Sequence, residues 1–145
     1  MSDDNRDQWN PPQKAECLAG GFHGRVSVGE ERTRVELKVG LLGEDWLMLV
    51  TGGKAHVGAV ATAVGAEIQL SVVGSHQEGP LAEICASQWS VLTGKVCVAV
   101  VGIHQDQATR NEINDIVDHV RQGLEILSSR WKETLCAGKD DDSMV

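Results

Sequence analysis

Tyrosine is absent from this 145-residue chain, and a single phenylalanine, Phe22, accompanies four tryptophans, so aromatic residues make up only 3%. Proteins that hold single-stranded nucleic acid rely on stacked aromatics, and this chain offers little to stack on. Positive charge is also scarce: 13 Lys and Arg stand against 21 Asp and Glu, a formal net charge of −8, with no basic run anywhere. DNA, RNA and anionic membrane surfaces are disfavoured as partners on that ground. Part of the acidic excess sits at the ends, in Asp3, Asp4 and Asp7 and in Asp140-Asp141-Asp142, where charge runs read as solvated tails.

Several motifs are missing as well. The four cysteines, Cys17, Cys85, Cys97 and Cys136, form no CxxC pair and no zinc-finger spacing. Cys85 and Cys97 fall inside apolar patterns and read as small buried hydrophobes. GxxxxGK[ST], a GxGxxG opening a helix, GxSxG and HExxH are all lacking, which removes the phosphate-loop, dinucleotide, hydrolase-elbow and zinc-protease readings. Ser75 and His76 are adjacent in sequence, an arrangement that does not present a nucleophile to its base as a triad requires. No apolar run is long enough for a membrane span, and the opening MSDDNRDQ has neither the basic nor the apolar part of a signal peptide. The expectation is a soluble, cytoplasmic protein.

What is present is aliphatic. Hydrophobic residues reach 41%, enough for one globular domain with a Val, Leu, Ile and Ala core. Residues 1–20 are polar and include Pro11-Pro12, so they read as a flexible N-terminal arm, in which Trp9 is available to dock on the domain or on a partner. Residues 21–131 form the expected α+β domain, and 132–145 an acidic C-terminal tail.

Within the domain, Phe22–Val28 and Arg32–Leu42 alternate polar and apolar residues, with Val35, Leu37, Val39 and Leu41 on one face. Period two marks half-buried antiparallel strands, joined by a hairpin-type link at Gly29-Glu30-Glu31. Asp45–Val50, Val57–Val64 and Ile68–Val73 add three more. The short links between the five predict an antiparallel meander, followed by helix, strand and helix, with both helices on one face of the sheet. Pro80 suits a first helical turn, and Leu81, Ile84, Cys85, Trp89 and Leu92 form an apolar stripe closed by Gly94. Val96–Val101 is apolar throughout and reads as a central strand covered on both sides. Thr109-Arg110-Asn111-Glu112 is a capping box, after which Ile113, Ile116, Val117, Val120, Leu124 and Leu127 continue at helical spacing. Helices on one face leave the other open, and a homodimer is one way to cover it.

Three glycine-flanked histidines punctuate these elements. Gly52-Gly53-Lys54-Ala55-His56-Val57-Gly58, Gly74-Ser75-His76-Gln77-Glu78-Gly79 and Gly102-Ile103-His104-Gln105-Asp106 each join an aliphatic stretch to a polar loop. Taken singly, a histidine at a strand end is often a turn residue making one hydrogen bond. Taken together, strands of one sheet would bring the loops into one cleft suited to a small anion or a metal. Gly52-Gly53-Lys54 is either an ordinary turn or an anion-binding nest with Lys54 as its charge partner. His104 and Asp106 follow the central strand and precede a helix N-terminus, a favoured place for ligands, and Asp106 is placed to orient the His104 ring.

At these loops the sequence is similar to a known family. TGGKAHVGAVATA, GSHQEGPLAEICA and VGIHQDQATRNEINDIV resemble successive motifs of the small LpdD-like prenylated-flavin chaperones, over roughly Trp46 to Leu127. The resemblance implies a proteasome-assembly-chaperone-like fold, a dimer, and a non-enzymatic carrier. Its cargo would be reduced prenylated FMN, delivered to a UbiD-like decarboxylase. It places Gly52, Gly53, His56, Gly58, His76, His104 and Asp106 in the cofactor site, and charge logic adds Lys54. Two other readings are a histidine-lined hydrolase or decarboxylase subunit acting on a small acid, and a cofactor-free protein assembly chaperone.

Overall fold

The computed structural model describes residues 7–12, 21–73 and 78–143. Alternating apolar residues do form strands: β2 (Gly24–Val28), β3 (Val35–Leu42) and β4 (Asp45–Gly53) make an antiparallel run. Between β2 and β3 the chain makes a 3-10 turn over Glu31–Thr33, longer than the hairpin link expected. A second antiparallel pair follows, β5 (Ala59–Val64) with β6 (Glu67–Val72). Helix α1 (Gly79–Thr93), strand β7 (Cys97–His104) and helix α2 (Arg110–Ser143) complete the domain.

The sheet corrects the five-stranded meander. With Asp7–Trp9 as β1, its order is β1-β2-β3-β4-β7-β5-β6, with β7 inserted between β4 and β5. β7 runs parallel to β4, from Trp46 opposite Cys97 to Gly53 opposite His104, and antiparallel to β5. Two features explain the insertion. The link from Lys54 to Gly58 is too long for a tight hairpin, and it steps across the roughly 10 Å occupied by one intervening strand. β7 is also apolar on both faces, but the expected cover on both sides is met on one: Cys97, Ala99 and Val101 are buried, while Val98 and Val100 are half-buried on the face away from the helices.

Both helices lie on one face, as expected. Trp46 of β4 meets Trp89 of α1 and Trp131 of α2 edge-on, with ring centroids 5.3 and 5.4 Å apart. Around them Val35, Leu37, Val39, Met48, Val50, Ala59, Ala61, Ala99 and Val101 are fully buried. Small alanines on β5 admit α1 closely, and Gly123 of α2 is packed against the Leu37 side chain. Gly94 ends α1 in the left-handed conformation at φ 72°, and its N–H donates to Ser90 O. The capping box at α2 forms reciprocally: Glu112 N–H donates to Thr109 Oγ1 (3.1 Å) and Thr109 N–H to Glu112 Oε1 (3.0 Å).

The ends of the chain are more ordered than their polarity suggests. Asp7–Trp9, inside the expected arm, is strand β1 paired antiparallel with β2. The Trp9 indole N–H donates to Thr134 Oγ1 at 2.9 Å, so Trp9 docks on the domain's own helix. The expected tail from residue 132 continues α2 to Ser143, because Lys132 to Ala137 contains no helix breaker.

Candidate functional site

The parallel pairing of β4 with β7 brings two of the histidine loops together. Gly53 and His104 are register partners at the carboxyl ends of neighbouring strands. The chain leaving β4 turns back over this end, so that the His56 and His104 rings stand 6.1 Å apart, nearly perpendicular. Gly52, Gly53, Lys54, His56, Gly58, His104 and Asp106 therefore share one corner of the molecule. His76 lies outside the described residues.

The glycines act here by proximity. Gly53 adopts φ +60°, and a Cβ on it would collide with the His104 carbonyl oxygen. Gly102 has the His56 backbone in the same position, and Gly58 has the Glu78 carboxylate there. Larger residues would push the loops apart. The anion-nest reading of the corner changes in this geometry, since the Lys54 N–H donates to His104 O at 3.0 Å. What remains for an anion is the Lys54 ammonium, which itself faces Asp106 Oδ2 at 3.3 Å.

Each histidine is held by a carboxylate. His104 Nε2 donates to Asp106 Oδ1 at 2.8 Å, the orienting contact expected from their spacing. Hydrogen bonds from His104 and then Lys54 hold the Asp106 carboxyl below the usual aspartate range. His56 has an oxygen beside each ring nitrogen: Lys54 O lies 3.1 Å from Nδ1 and Glu78 Oε1 3.1 Å from Nε2.

Beneath the rings is a cavity of about 160 Å³. Leu81 of α1, Ile103 of β7 and Ile113, Ile116 and Val117 of α2 form its apolar wall. His56, Glu78, His104 and Gln105 supply polar groups, and Ala108 closes the edge. At the rim Arg32 donates to Asp106 O (2.6 Å) and, through Nε, to Glu112 Oε2 (2.7 Å), joining the 3-10 turn to the α2 cap. The Arg32 contact keeps Glu112 well ionised, with its carboxyl below the ordinary range. Both segments that Arg32 ties contain a non-glycine residue at positive φ, Glu31 at 49° and Gln107 at 52°, the kind of local strain that accumulates at binding sites.

Glu78 and Arg32 are the residues that sequence reasoning missed. Glu78 is 7% exposed, and its Oε2 has no hydrogen-bond partner among the described residues. The clue to it was Gly58, a glycine at the start of a small-residue strand with no turn to justify it. Arg32 gave no signal beyond being a cation in a strand link. No group of three or more His, Cys, Asp and Glu among the described residues is arranged to hold a metal ion.

A flavin fits part of this arrangement. The apolar wall suits one edge of a flat ring, and the buried unpartnered carboxylate calls for a donor. The volume is below the roughly 300–1,000 Å³ usual for small-molecule pockets, so a whole nucleotide extends beyond it.

The family model described as prenylated flavin chaperone LpdD-like domain matches residues 29–132. No curated protein sequence matches the chain. Among solved structures, a chain from a yeast chaperone complex for 20S proteasome assembly superposes with a TM-score of 0.52 at 9% identity, over 74% of this chain and 98% of that one. At that identity the likeness concerns the fold alone, and it agrees with the proteasome-assembly-chaperone-like fold that the resemblance implied, though not with the five-stranded meander.

Proposed function

This chain belongs to the LpdD-like prenylated flavin chaperone family, and from that premise we propose that it binds reduced prenylated FMN and passes it to a UbiD-like decarboxylase. The observation that carries the reading is the cavity itself, where a buried carboxylate with a vacant acceptor lies against an aliphatic wall. Polar groups inside it are few and fixed, which suits holding a reactive ring while leaving it unchanged. His56 and His104 are each engaged by a carboxylate, and among the described residues no nucleophile stands beside either, so the arrangement favours a carrier over an enzyme. One edge of the ring system occupies the cavity, and the remainder of the cargo lies across the rim near the cations Lys54 and Arg32. His76, which precedes α1 in the sequence, is a further proposed contact.

Anaerobic mixing with reduced prenylated FMN or with oxidised FMN, followed by native mass spectrometry, tests this reading. Preferential retention of the reduced prenylated form is expected. Equal retention of both, or of neither, overturns it. Addition of loaded protein to an apo-decarboxylase should then raise its activity above that given by the same free cofactor.

The same proposal includes a second copy of the chain. On the face away from the helices, Leu47, Leu49, Val60, Val98 and Val100 form a half-buried aliphatic strip. The ion pairs of Glu36 with Arg25 (2.6 Å) and Lys38 (3.3 Å) border it. Pairing two such strips removes apolar surface from water. Light scattering at micromolar concentration should give twice the 15.6 kDa of one chain; the single-chain mass overturns the dimer.

A further inference from the structure

We propose that Glu78 determines the specificity of the cavity by accepting a hydrogen bond from the N–H of a cyclic imide, the pyrimidine edge of the flavin. The inference rests on the flavin reading above and goes one atom further. Its starting point is an imbalance inside the protein. A carboxylate has about four acceptor positions, and Glu78 uses one of them, toward His56 Nε2. Its Oε2 is buried with no hydrogen-bond partner among the described residues. Leaving such a group unsatisfied is costly, so its retention at a cavity wall points to a donor supplied from outside.

The surroundings narrow the class of donor. Glu78 shares the cavity wall with His104 and with the Gln105 amide, both able to donate. His104 Nε2 is committed to Asp106, while the Gln105 amide contributes N–H groups of its own. An acceptor beside an amide donor is the complement of an imide edge, where an N–H adjoins a carbonyl oxygen. An ionised carboxylate or a phosphate at this position would instead place acceptor against acceptor.

Gly58 is the second part of the device. Its backbone lies against the carboxylate so closely that an alanine methyl would occupy the place of Oε2. Gly58 is not in a positive-φ conformation, so alanine strains no backbone there and acts by expelling the carboxylate. Glycine at this position thus reserves the seat in which Glu78 is aimed.

The prediction is an interaction that two residues control jointly. Calorimetric titration of the full chain under anaerobic conditions, with reduced prenylated FMN and with its N3-methyl analogue, reads it directly. Wild-type protein should bind the N3-methyl compound about 10- to 100-fold more weakly, the span of one charge-assisted hydrogen bond. In Glu78→Ala the two compounds should bind within about threefold of each other, and Gly58→Ala should reproduce that loss. Combining the two substitutions should cost no more than either alone. Glu78→Gln, which keeps the shape without the charge, should fall between and covers the case in which alanine unfolds the loop. Equal binding of both compounds by wild type, or undiminished discrimination in Glu78→Ala, overturns the inference and leaves the flavin reading standing. Absence of any binding by wild type overturns both.

Discussion

The two ends of the helix-covered sheet are built on opposite terms. At one end Trp46, Trp89 and Trp131 interlock edge to face, and β1 and the second half of α2 are stitched together by Trp9 and Thr134. At the other, His56, His104, Lys54, Asp106 and Arg32 are held by hydrogen bonds at the solvent boundary, and two non-glycine residues sit at positive φ. The tryptophan end keeps its side chains by excluding water, and it carries buried indole N–H groups of Trp89 and Trp131 with no partner among the described residues. The histidine end keeps its groups near water and in fixed directions. Stability concentrated at one end permits backbone strain at the other, at the edge of the ligand cavity.

The largest effect expected from breaking this division is at the aromatic end. Trp46→Ala removes the ring that both helices share, and should cost about 3–5 kcal/mol of stability, read as a lowered midpoint in urea unfolding. A loss below about 1 kcal/mol would show that the ring cluster is not the structural anchor.

Next in size is an alkaline loss centred on α1 and β7. Burial, with a contribution from neighbouring Cys97, pushes the Cys85 thiol up to about 12, and burial alone pushes Cys97 up to about 12. A raised folded-state value means that the contribution is fully present below the unfolded value of 9.0 and is lost as pH rises through the folded one. Between these limits each thiol removes about 1.4 kcal/mol per pH unit, so the pair accounts for roughly 3 kcal/mol at pH 10. Unfolding curves at pH 8 and pH 10 measure it, and a Cys85→Ala/Cys97→Ala variant should show a much flatter alkaline profile. Equal slopes in the two proteins would rule out the thiols as the cause.

At the histidine end the effects shift from stability to binding. His104→Gln should weaken reduced prenylated FMN binding by about 10- to 100-fold and change stability by less than about 0.5 kcal/mol, as for other exposed substitutions. Excess cofactor should restore decarboxylase activation, since a carrier's defect is one of occupancy. Full occupancy with activation still lost would instead favour a direct role in catalysis or hand-over.

The contrast between the ends also explains what could be read from the sequence. Periodicity located the alternating strand Val35–Leu42, the α1 stripe and the Thr109–Glu112 cap, because each is a local pattern with a local cause. The position of β7 was harder. Its apolar character announced a central strand, yet short links between neighbouring segments suggested that β4 pairs with β5, and only the crossing from Lys54 to Gly58 separates the two topologies. Glycine-flanked histidines revealed where the site lies. Glu78 stayed hidden because its meaning depends on Gly58, twenty residues earlier in the chain, and on a contact that no periodicity encodes. Arg32 is hidden for the same reason, since its partners Asp106 and Glu112 belong to distant sequence.

The smallest expected effect tests whether the rim is a set of independent contacts or one linked unit. Asp106 accepts from His104 and faces Lys54, and its own carbonyl accepts from Arg32. Its carboxyl is held below the ordinary value of 3.8 by His104 first and Lys54 second. A lowered folded-state value means that the contribution is present above the unfolded value and is lost as pH falls through the folded one. Acidification below about pH 4 should therefore release His104 and Lys54 together, while a fully exposed carboxylate adds little to global stability. Ring-proton NMR of His104 across this range reads the release directly. In Asp106→Asn the acid-dependent release should vanish, and the His56 resonances, whose ring is held by Glu78 instead, should be unchanged by the substitution. Joint movement of both histidines in the wild type, abolished by the same substitution, would show that the cavity wall and its rim respond as one body.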